Sequence, residues 1–537
     1  MVVRLYCGQF KDFTQGLTHM LGLFASKPNH PLADLAATKR IAAELARQEP
    51  RAAVDSATVW LESIYSAEGF KLPALVERLM IIEDAAIPQL RRLGREWVQG
   101  DTNSAAALAT WELAQSFWMQ LGQCHEKCVE RHCSGGRDND LPKDMTPLIY
   151  GAALYARAAT QKWNQFRYRH PPDIFWTSVG ALYLAANAQG LSKRPIELHA
   201  GHGETTIEAE YLKVLLFQVA AMDTLTPLEV ELGERLIAHF LPWFSLTREV
   251  RPDNVYWVDA VRPRPPARLA KVPEVSETLY FFSGAKALVA VEELIARIET
   301  TAAVPPNVNL GGQYPVAEVG KVLAHLAECW APKPPTRAHV RRSVVAPLAL
   351  THGFKSALQT IAYAVASSRT RVADLEVWSV SDISLGGMAI HGTVGRNDWA
   401  RIGTLVAVLP DGGTNWLVGI IRRVSRGKAQ SAEESVAGSD GTPIPRDAHI
   451  AYLGVETISK AARSVVADAD GFPVDAIVLD LPVVGEYARL AVPPDALEAN
   501  IALCFSLFEK SARLHPREVI ETGTDYVIAN FFVQSFS

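Results

Sequence analysis

A carboxylate, a hydroxyl and two glycines stand together between two apolar runs of the sequence. They are Asp382, Ser384, Gly386 and Gly387, within the segment DISLGG. The pattern predicts a strand, a tight turn and a second strand, in which the glycines supply positive φ and leave the backbone open to close approach. A carboxylate accepts hydrogen bonds and a hydroxyl donates one, so the turn suits a small polar ligand.

An arginine-rich segment, RAHVRR, lies about forty residues earlier and carries Arg337, Arg341 and Arg342. An Arg-x-x-x-Arg arm followed by Asp-x-Ser-x-x-Gly at a strand turn resembles the PilZ domain, a small antiparallel β-barrel that binds the bacterial second messenger cyclic di-GMP. Three later apolar segments, at 401–409, 415–424 and 448–456, look like strands of the same barrel. The resemblance covers about residues 337–460.

The resemblance implies a role for each residue of the two segments. Arginine forks match the phosphodiesters and the guanine O6 and N7 acceptors of cyclic di-GMP, and Arg337, Arg341 and Arg342 are assigned that role. Asp382 complements the Watson–Crick edge of guanine, and Ser384 donates to phosphate. Gly386 and Gly387 complete the expected ligand-binding set.

The spacing between the two segments is longer than PilZ domains usually show. The excess predicts a helical insert at about 352–371, with Phe354, Leu358 and Ile361 on one face. If this helix packs beside the barrel, the arm can reach the turn. If it covers the turn, the ligand site is degenerate. A second insertion, at 425–447, is polar and Gly/Ser-rich and is expected to form a surface loop.

Length and composition set the broad class. A chain of 537 residues with 48% hydrophobic residues implies roughly three to four soluble domains. The net charge of -5 gives no broad positive field for nucleic acid, and we expect no such partner. The sequence has no apolar run of membrane-spanning length and no signal peptide, and its six cysteines are too few for a disulfide framework. We therefore expect a cytoplasmic protein without membrane insertion.

The first 330 residues are dominated by helical periodicity and predict one or more α-helical domains. One clear apolar face is formed by Leu75, Leu79, Ile82, Ile87, Leu90 and Leu93. Asn103 or Ser104 is expected to cap the next helix. Helix pairs similar to tetratricopeptide repeats are suggested, without a stable period of about 34 residues. An extended segment is expected near 254–269.

The fold class expected is therefore multidomain α plus β. An N-terminal α-helical bundle or irregular solenoid, 1–330, is followed by a Pro-rich linker at 331–336. The PilZ-like barrel at 337–460 comes next. A β-rich extension or second small barrel at 461–537, without a visible ligand motif, completes the chain.

Two clusters of Cys, His and Glu residues are candidates for a metal site. Cys124, Cys128 and His132 recur at four-residue steps, and His199, His202 and Glu204 lie in a Gly-rich loop. The first cluster matches none of the usual Cys-x-x-Cys pairs, and a Gly-rich loop with two histidines is usually only a loop, so we expect no metal. No catalytic motif is visible, so no catalytic residue is assigned and no cofactor beyond the ligand is expected.

The sequence thus leads to the hypothesis of a non-enzymatic bacterial receptor. Cyclic di-GMP would pin the arm at 337–342 against Asp382 and Ser384, and the change would be transmitted across 331–336 to a helical domain that binds an unidentified protein partner. The alternative is a ligand-independent scaffolding or adaptor protein with a degenerate barrel.

Overall fold

The structure is a computed structural model, and it describes residues 28–102, 104–201, 203–274, 276–333, 339–366, 375–395, 399–428, 449–497, 501–507 and 510–535. The chain is a mixed α plus β protein with helices first and antiparallel barrels after them. It divides into two compact units, residues 1–335 and residues 336–537. We call them the helical unit and the barrel unit.

The described part of the helical unit contains ten α-helices. Their bounds are α1 Leu35–Leu45, α2 Pro50–Ser66, α3 Leu72–Gln99, α4 Ala105–Ser134, α5 Thr146–Gln165, α6 Asp173–Ala188, α7 Ile207–Val219, α8 Pro227–Phe240, α9 Ala285–Thr301 and α10 Val316–Trp330. Across the described residues, no helix combines the length and the hydropathy needed to cross a lipid bilayer.

Local sequence explains where these helices begin and which face they bury. All six apolar residues predicted to share one face lie on α3 and are buried. Of the two expected caps, Ser104 is the one used, because its hydroxyl accepts a hydrogen bond of 3.1 Å from the amide of Ala107. Helical periodicity and capping therefore predicted these elements correctly.

A three-stranded antiparallel sheet interrupts the helices, in the order β2-β1-β3, from β1 Tyr256–Asp259, β2 Ala267–Arg268 and β3 Leu279–Phe282. The last helix of the unit, α10, ends at Trp330, which is fully buried. Its ring packs edge-on against Phe240 and Phe244, with centroids 5.9 and 5.0 Å away. The last residue of α10 is thus part of the core of the helical unit.

The first barrel of the barrel unit is a closed six-stranded antiparallel sheet in the order β4-β5-β6-β9-β8-β7. The strands are β4 Arg342–His352, β5 Glu376–Ser384, β6 Gly387–Val394, β7 Leu405–Pro410, β8 Leu417–Lys428 and β9 His449–Ser459. The three later segments expected to be strands form β7, β8 and β9. Most of the second insertion, from 429 onward, lies outside the described residues.

One helix of the barrel unit, α11 Phe354–Ala366, follows β4 directly. Its buried residues Phe354, Leu358 and Ile361 join a core that also contains side chains of both barrels, including Leu405 and Ile477. The helix therefore packs where the two barrels meet, as an apolar face of this kind requires.

The C-terminal part of the chain forms a second closed barrel in the order β10-β11-β12-β15-β14-β13. Its strands are β10 Arg463–Ala469, β11 Phe472–Val478, β12 Tyr487–Val492, β13 Leu503–Leu507, β14 Lys510–Thr522 and β15 Val527–Ser535. Closure rests on the pairing of Asp468 with Cys504, between strands far apart in sequence. The β-rich C-terminal region is thus a barrel of its own.

Candidate functional site

The segment DISLGG forms the end of β5, a two-residue turn and the start of β6. A bulge separates the pairs Val380–Ile390 and Asp382–Ala389. Without it, Val380 and Asp382 would share a face, because side chains of a strand alternate. The bulge lets Val380 remain buried while Asp382 lies on the same face as the exposed Ser343 opposite it on β4. An acidic side chain is thereby presented at the surface of the barrel.

The sequence-predicted pair Arg341 and Asp382 is brought together. One guanidinium nitrogen, Nη1, lies 3.3 Å from Oδ2 of the carboxylate, and the two side chains are 46% and 28% exposed. The second oxygen, Oδ1, is buried and has no hydrogen-bond partner among the described residues. A buried acceptor left without a donor is unfavourable by about 1–3 kcal/mol, so a local rearrangement that brought an N–H donor to Oδ1 would be favourable.

Two of the other predicted polar residues lie on the strands that carry this pair. Arg342 is exposed and begins β4 opposite Ile383. Ser384 ends β5, and its hydroxyl donates a hydrogen bond of 3.1 Å to the carbonyl oxygen of Gly387. Arg337 lies outside the described residues. The side chains of Arg341 and Asp382 thus meet at one end of the β4–β5–β6 sheet, while Arg342 begins the neighbouring strand opposite Ile383.

Gly387 is required for a different reason than the sequence suggested. Neither Gly386 nor Gly387 adopts positive φ, so the expectation of a left-handed turn was wrong. A Cβ on Gly387 would lie 2.2 Å from the carbonyl oxygen of Val455 on β9, and a Cβ on Gly386 would lie 3.0 Å from the ring of His339. Close approach of the β9 backbone, which sequence spacing does not reveal, is what demands glycine at Gly387, whereas the ring of His339 can move aside for a Cβ on Gly386.

His339 was not singled out by sequence reasoning, although it lies inside the arm. Its position over Gly386 shows that the described part of the arm, 339–341, already lies along the turn. The helix α11 does not intervene. It begins after the opposite end of β4, about 33 Å from Arg342 at the usual rise of a strand. The inserted helix therefore does not cover the turn.

Histidines in or next to the two candidate metal clusters pair with carboxylates. Nε2 of His125 lies 2.9 Å from Oε2 of Glu83, and Nδ1 of His199 lies 2.9 Å from Oδ1 of Asp84. Burial raises the pKa of the Cys124 thiol to about 12. Within the described residues, no group of three or more His, Cys, Asp or Glu side chains could hold a metal ion. His202 lies outside the described residues.

A cavity of about 850 Å³ lies in the helical unit. Aromatic rings, including Tyr155, face charged side chains across it. Lys162 pairs with Glu231 at 2.9 Å. Burial works to raise the pKa of Glu234, but Lys162 and Arg235 outweigh burial and lower that pKa to about 2. Lys162 and Arg235 therefore already have carboxylate partners, which makes these two cations less available to an anionic ligand.

Comparison with known proteins adds a finding on the helical unit. The family model "Cyclic-di-GMP receptor FimW, N-terminal domain" matches residues 36–252. The match covers about two-fifths of the chain and lies entirely within the helical unit. It does not include Arg341, Asp382 or Ser384. No curated protein matches the sequence.

Proposed function

We propose that this protein is a cyclic di-GMP receptor that binds its ligand on a PilZ-type first barrel. The observation that carries the proposal is the meeting of Arg341 with Asp382, whose second carboxylate oxygen is a buried acceptor without a described partner. The similarity of residues 36–252 to the N-terminal domain of the receptor FimW supports the same ligand from an independent part of the chain.

The side chains of the proposed site match the guanine bases and the phosphates of cyclic di-GMP. Guanine presents N1–H and N2–H donors, which the carboxylate of Asp382 accepts, while Arg341 and Arg342 bind phosphate oxygens or the O6 and N7 atoms. Arg341 has five N–H donors, so its contact with Asp382 leaves others for the ligand. Arg337, from the same arm, is assigned the same role. Ser384 would exchange its bond to Gly387 for one to phosphate.

We further propose that ligand binding is transmitted to the helical unit, which binds a protein partner. The arm that carries the arginines connects directly to the segment that leaves α10. Fixing the arm against the turn would change how the helical unit is presented to its protein partner. In this scheme the protein is a cytoplasmic bacterial effector without catalytic activity.

Calorimetric titration of the full chain with cyclic di-GMP tests the proposal, with GTP and cyclic GMP as competitor nucleotides. Saturable binding that is lost in Asp382→Ala is the expected result. The matched control is Asp475→Ala, which removes an exposed aspartate from β11 of the second barrel and should leave affinity unchanged. No binding at high ligand concentration would reject the receptor and leave the ligand-independent adaptor.

A further inference from the structure

We propose that the second barrel sets the geometry of the ligand turn by holding the end of β9, and that Glu521 is a positioning residue for the ligand site. The inference rests on the proposed function. It assigns a role to residues 461–537, which carry no ligand motif of their own. We call the contacts of the second barrel with residues next to the turn the β9 clamp, formed by Arg422 with Glu521, Ser459 with Leu479, and Arg489 with Ile458.

The turn is held on one side by β9. The amide of Thr457 donates a hydrogen bond of 3.0 Å to the carbonyl oxygen of Gly386. Gly387 pairs with Glu456 and packs without any intervening side chain on the carbonyl of Val455. Residues 455–457 therefore fix the position of the turn relative to β9, and a displacement of β9 would move Asp382 and Ser384 with it.

Arg422 connects this part of β9 to the second barrel. Its Nε donates to Glu456 at 2.7 Å, and its two terminal nitrogens form a bidentate pair with Glu521 on β14, at 2.6 and 2.7 Å. A fork of this kind fixes orientation as well as distance. Glu456 is also the residue paired with Gly387, so a single guanidinium joins the neighbour of the turn to β14.

The next residues of β9 are held by the second barrel as well. The buried hydroxyl of Ser459 donates to the carbonyl of Leu479 at 2.7 Å. Arg489 on β12 donates to the carbonyl of Ile458 at 3.1 Å, and it is oriented by a bidentate pair with Asp480. Glu456, Ile458 and Ser459 thus contact the second barrel, directly or through Arg422, while residues 455–457 contact the turn.

The two barrels also share a core, which keeps the clamp from moving as a separate piece. The hydroxyl of Tyr526 donates to the carbonyl of Gly403 at 2.9 Å, and the amide of Phe354 donates to Asp525 at 2.7 Å. Both bonds run between the second barrel and the first barrel or α11. A displacement of β14 would therefore be transmitted to β9 through the core that the two barrels share.

Coupling of this kind is reciprocal, so ligand and clamp should each strengthen the other. Coupling between sites commonly changes affinity about 5- to 150-fold. Arg422 is 42% exposed and its pair is partly screened by solvent. We therefore expect Glu521→Gln to weaken cyclic di-GMP binding by about fivefold, the lower end of that range.

The test compares Glu521→Gln with Glu518→Gln, an exposed glutamate on the same strand. Calorimetry of both full-length variants should show weaker binding only for Glu521→Gln. Arg422→Gln should give at least that loss, because it also removes the contact with Glu456, and the double variant should lose no more than Arg422→Gln alone. Equal affinities of wild type and a folded Glu521→Gln variant would overturn the inference.

A second measurement separates this inference from the proposed function. Amide hydrogen exchange without ligand should be faster at 384–388 in Glu521→Gln than in Glu518→Gln, because the turn loses its support. If the wild type binds no cyclic di-GMP but this exchange difference is present, the receptor proposal fails and the clamp stands. If exchange at 384–388 is unchanged, the clamp is rejected whatever the ligand does.

Discussion

Replacing Gly387 with alanine tests how the ligand turn is built. The new Cβ would lie 2.2 Å from the carbonyl oxygen of Val455, whereas real Cβ atoms essentially never come closer than 3.0 Å. The backbone of β6 or β9 must therefore shift by about 0.8 Å. A flexible side chain could move aside cheaply, but a strand carbonyl in a closed barrel cannot.

The loss of stability in Gly387→Ala depends on which part of the backbone must move. The β6–β9 pairing runs in unbroken register from Gly387 opposite Glu456 to Val394 opposite His449, so the strands cannot slide to make room. Overpacking of this type is unfavourable by about 1–3 kcal/mol, and a backbone obstacle places Gly387→Ala near about 3 kcal/mol. For a unit of about 200 residues this lowers Tm by about 6–12 °C.

Scanning calorimetry of the full chain measures the effect, and amide exchange of β6 and β9 peptides assigns it to the first barrel. Gly395→Ala, just past the end of β6, is the matched control, because a Cβ there meets no described heavy atom within 4 Å. Cyclic di-GMP affinity should fall in Gly387→Ala and stay constant in the control. A Gly387→Ala protein with wild-type Tm and wild-type exchange would refute the close-approach argument.

Three further predictions follow from other contacts. Arg341→Ala should change the free energy of unfolding by less than about 1 kcal/mol, because its ion pair is half exposed, and urea unfolding measures this change. The same variant should bind cyclic di-GMP at least about tenfold more weakly in calorimetry, because a charge-assisted bond is lost. An affinity equal to that of the wild type would remove the arm from the site. Burial raises the pKa of the Cys124 thiol to about 12, so iodoacetamide at pH 8 should label the partly exposed Cys504 far faster in native protein, as peptide mass spectrometry would show; comparable rates would contradict that burial. Gly180→Ala should destabilise the helical unit, since a Cβ would lie 1.9 Å from a backbone oxygen, whereas Gly320→Ala, also within a helix but in open space, should stabilise it by up to about 1 kcal/mol; thermal melts that rank the two in the opposite order would refute this.

Local patterns predicted the elements that local forces determine. The apolar face of α11, the cap at Ser104 and the strands β7 to β9 each follow from residues close together in the sequence. The resemblance to the PilZ domain implied that Arg341 could reach Asp382, and the two residues do meet, because strands β4 and β5 are neighbours in the barrel.

What the sequence could not predict depends on contacts between distant residues. Closure of the second barrel requires Asp468 to pair with Cys504, and Arg422 meets a glutamate 99 positions away. No periodicity records such pairs. Gly387 was predicted to supply positive φ, but its constraint comes from the carbonyl of Val455 on β9. A glycine in a strand signals that something comes close without saying what.

The position of Trp330 determines where the helical unit can be truncated without exposing its core. A fragment ending at residue 252, where the FimW family match stops, would lack α9 and α10 and would uncover the rings of Phe240 and Phe244. Uncovered aromatic patches of this kind drive aggregation. Expression of the helical unit alone should therefore extend through residue 333, and an insoluble shorter fragment would reflect a missing piece of core.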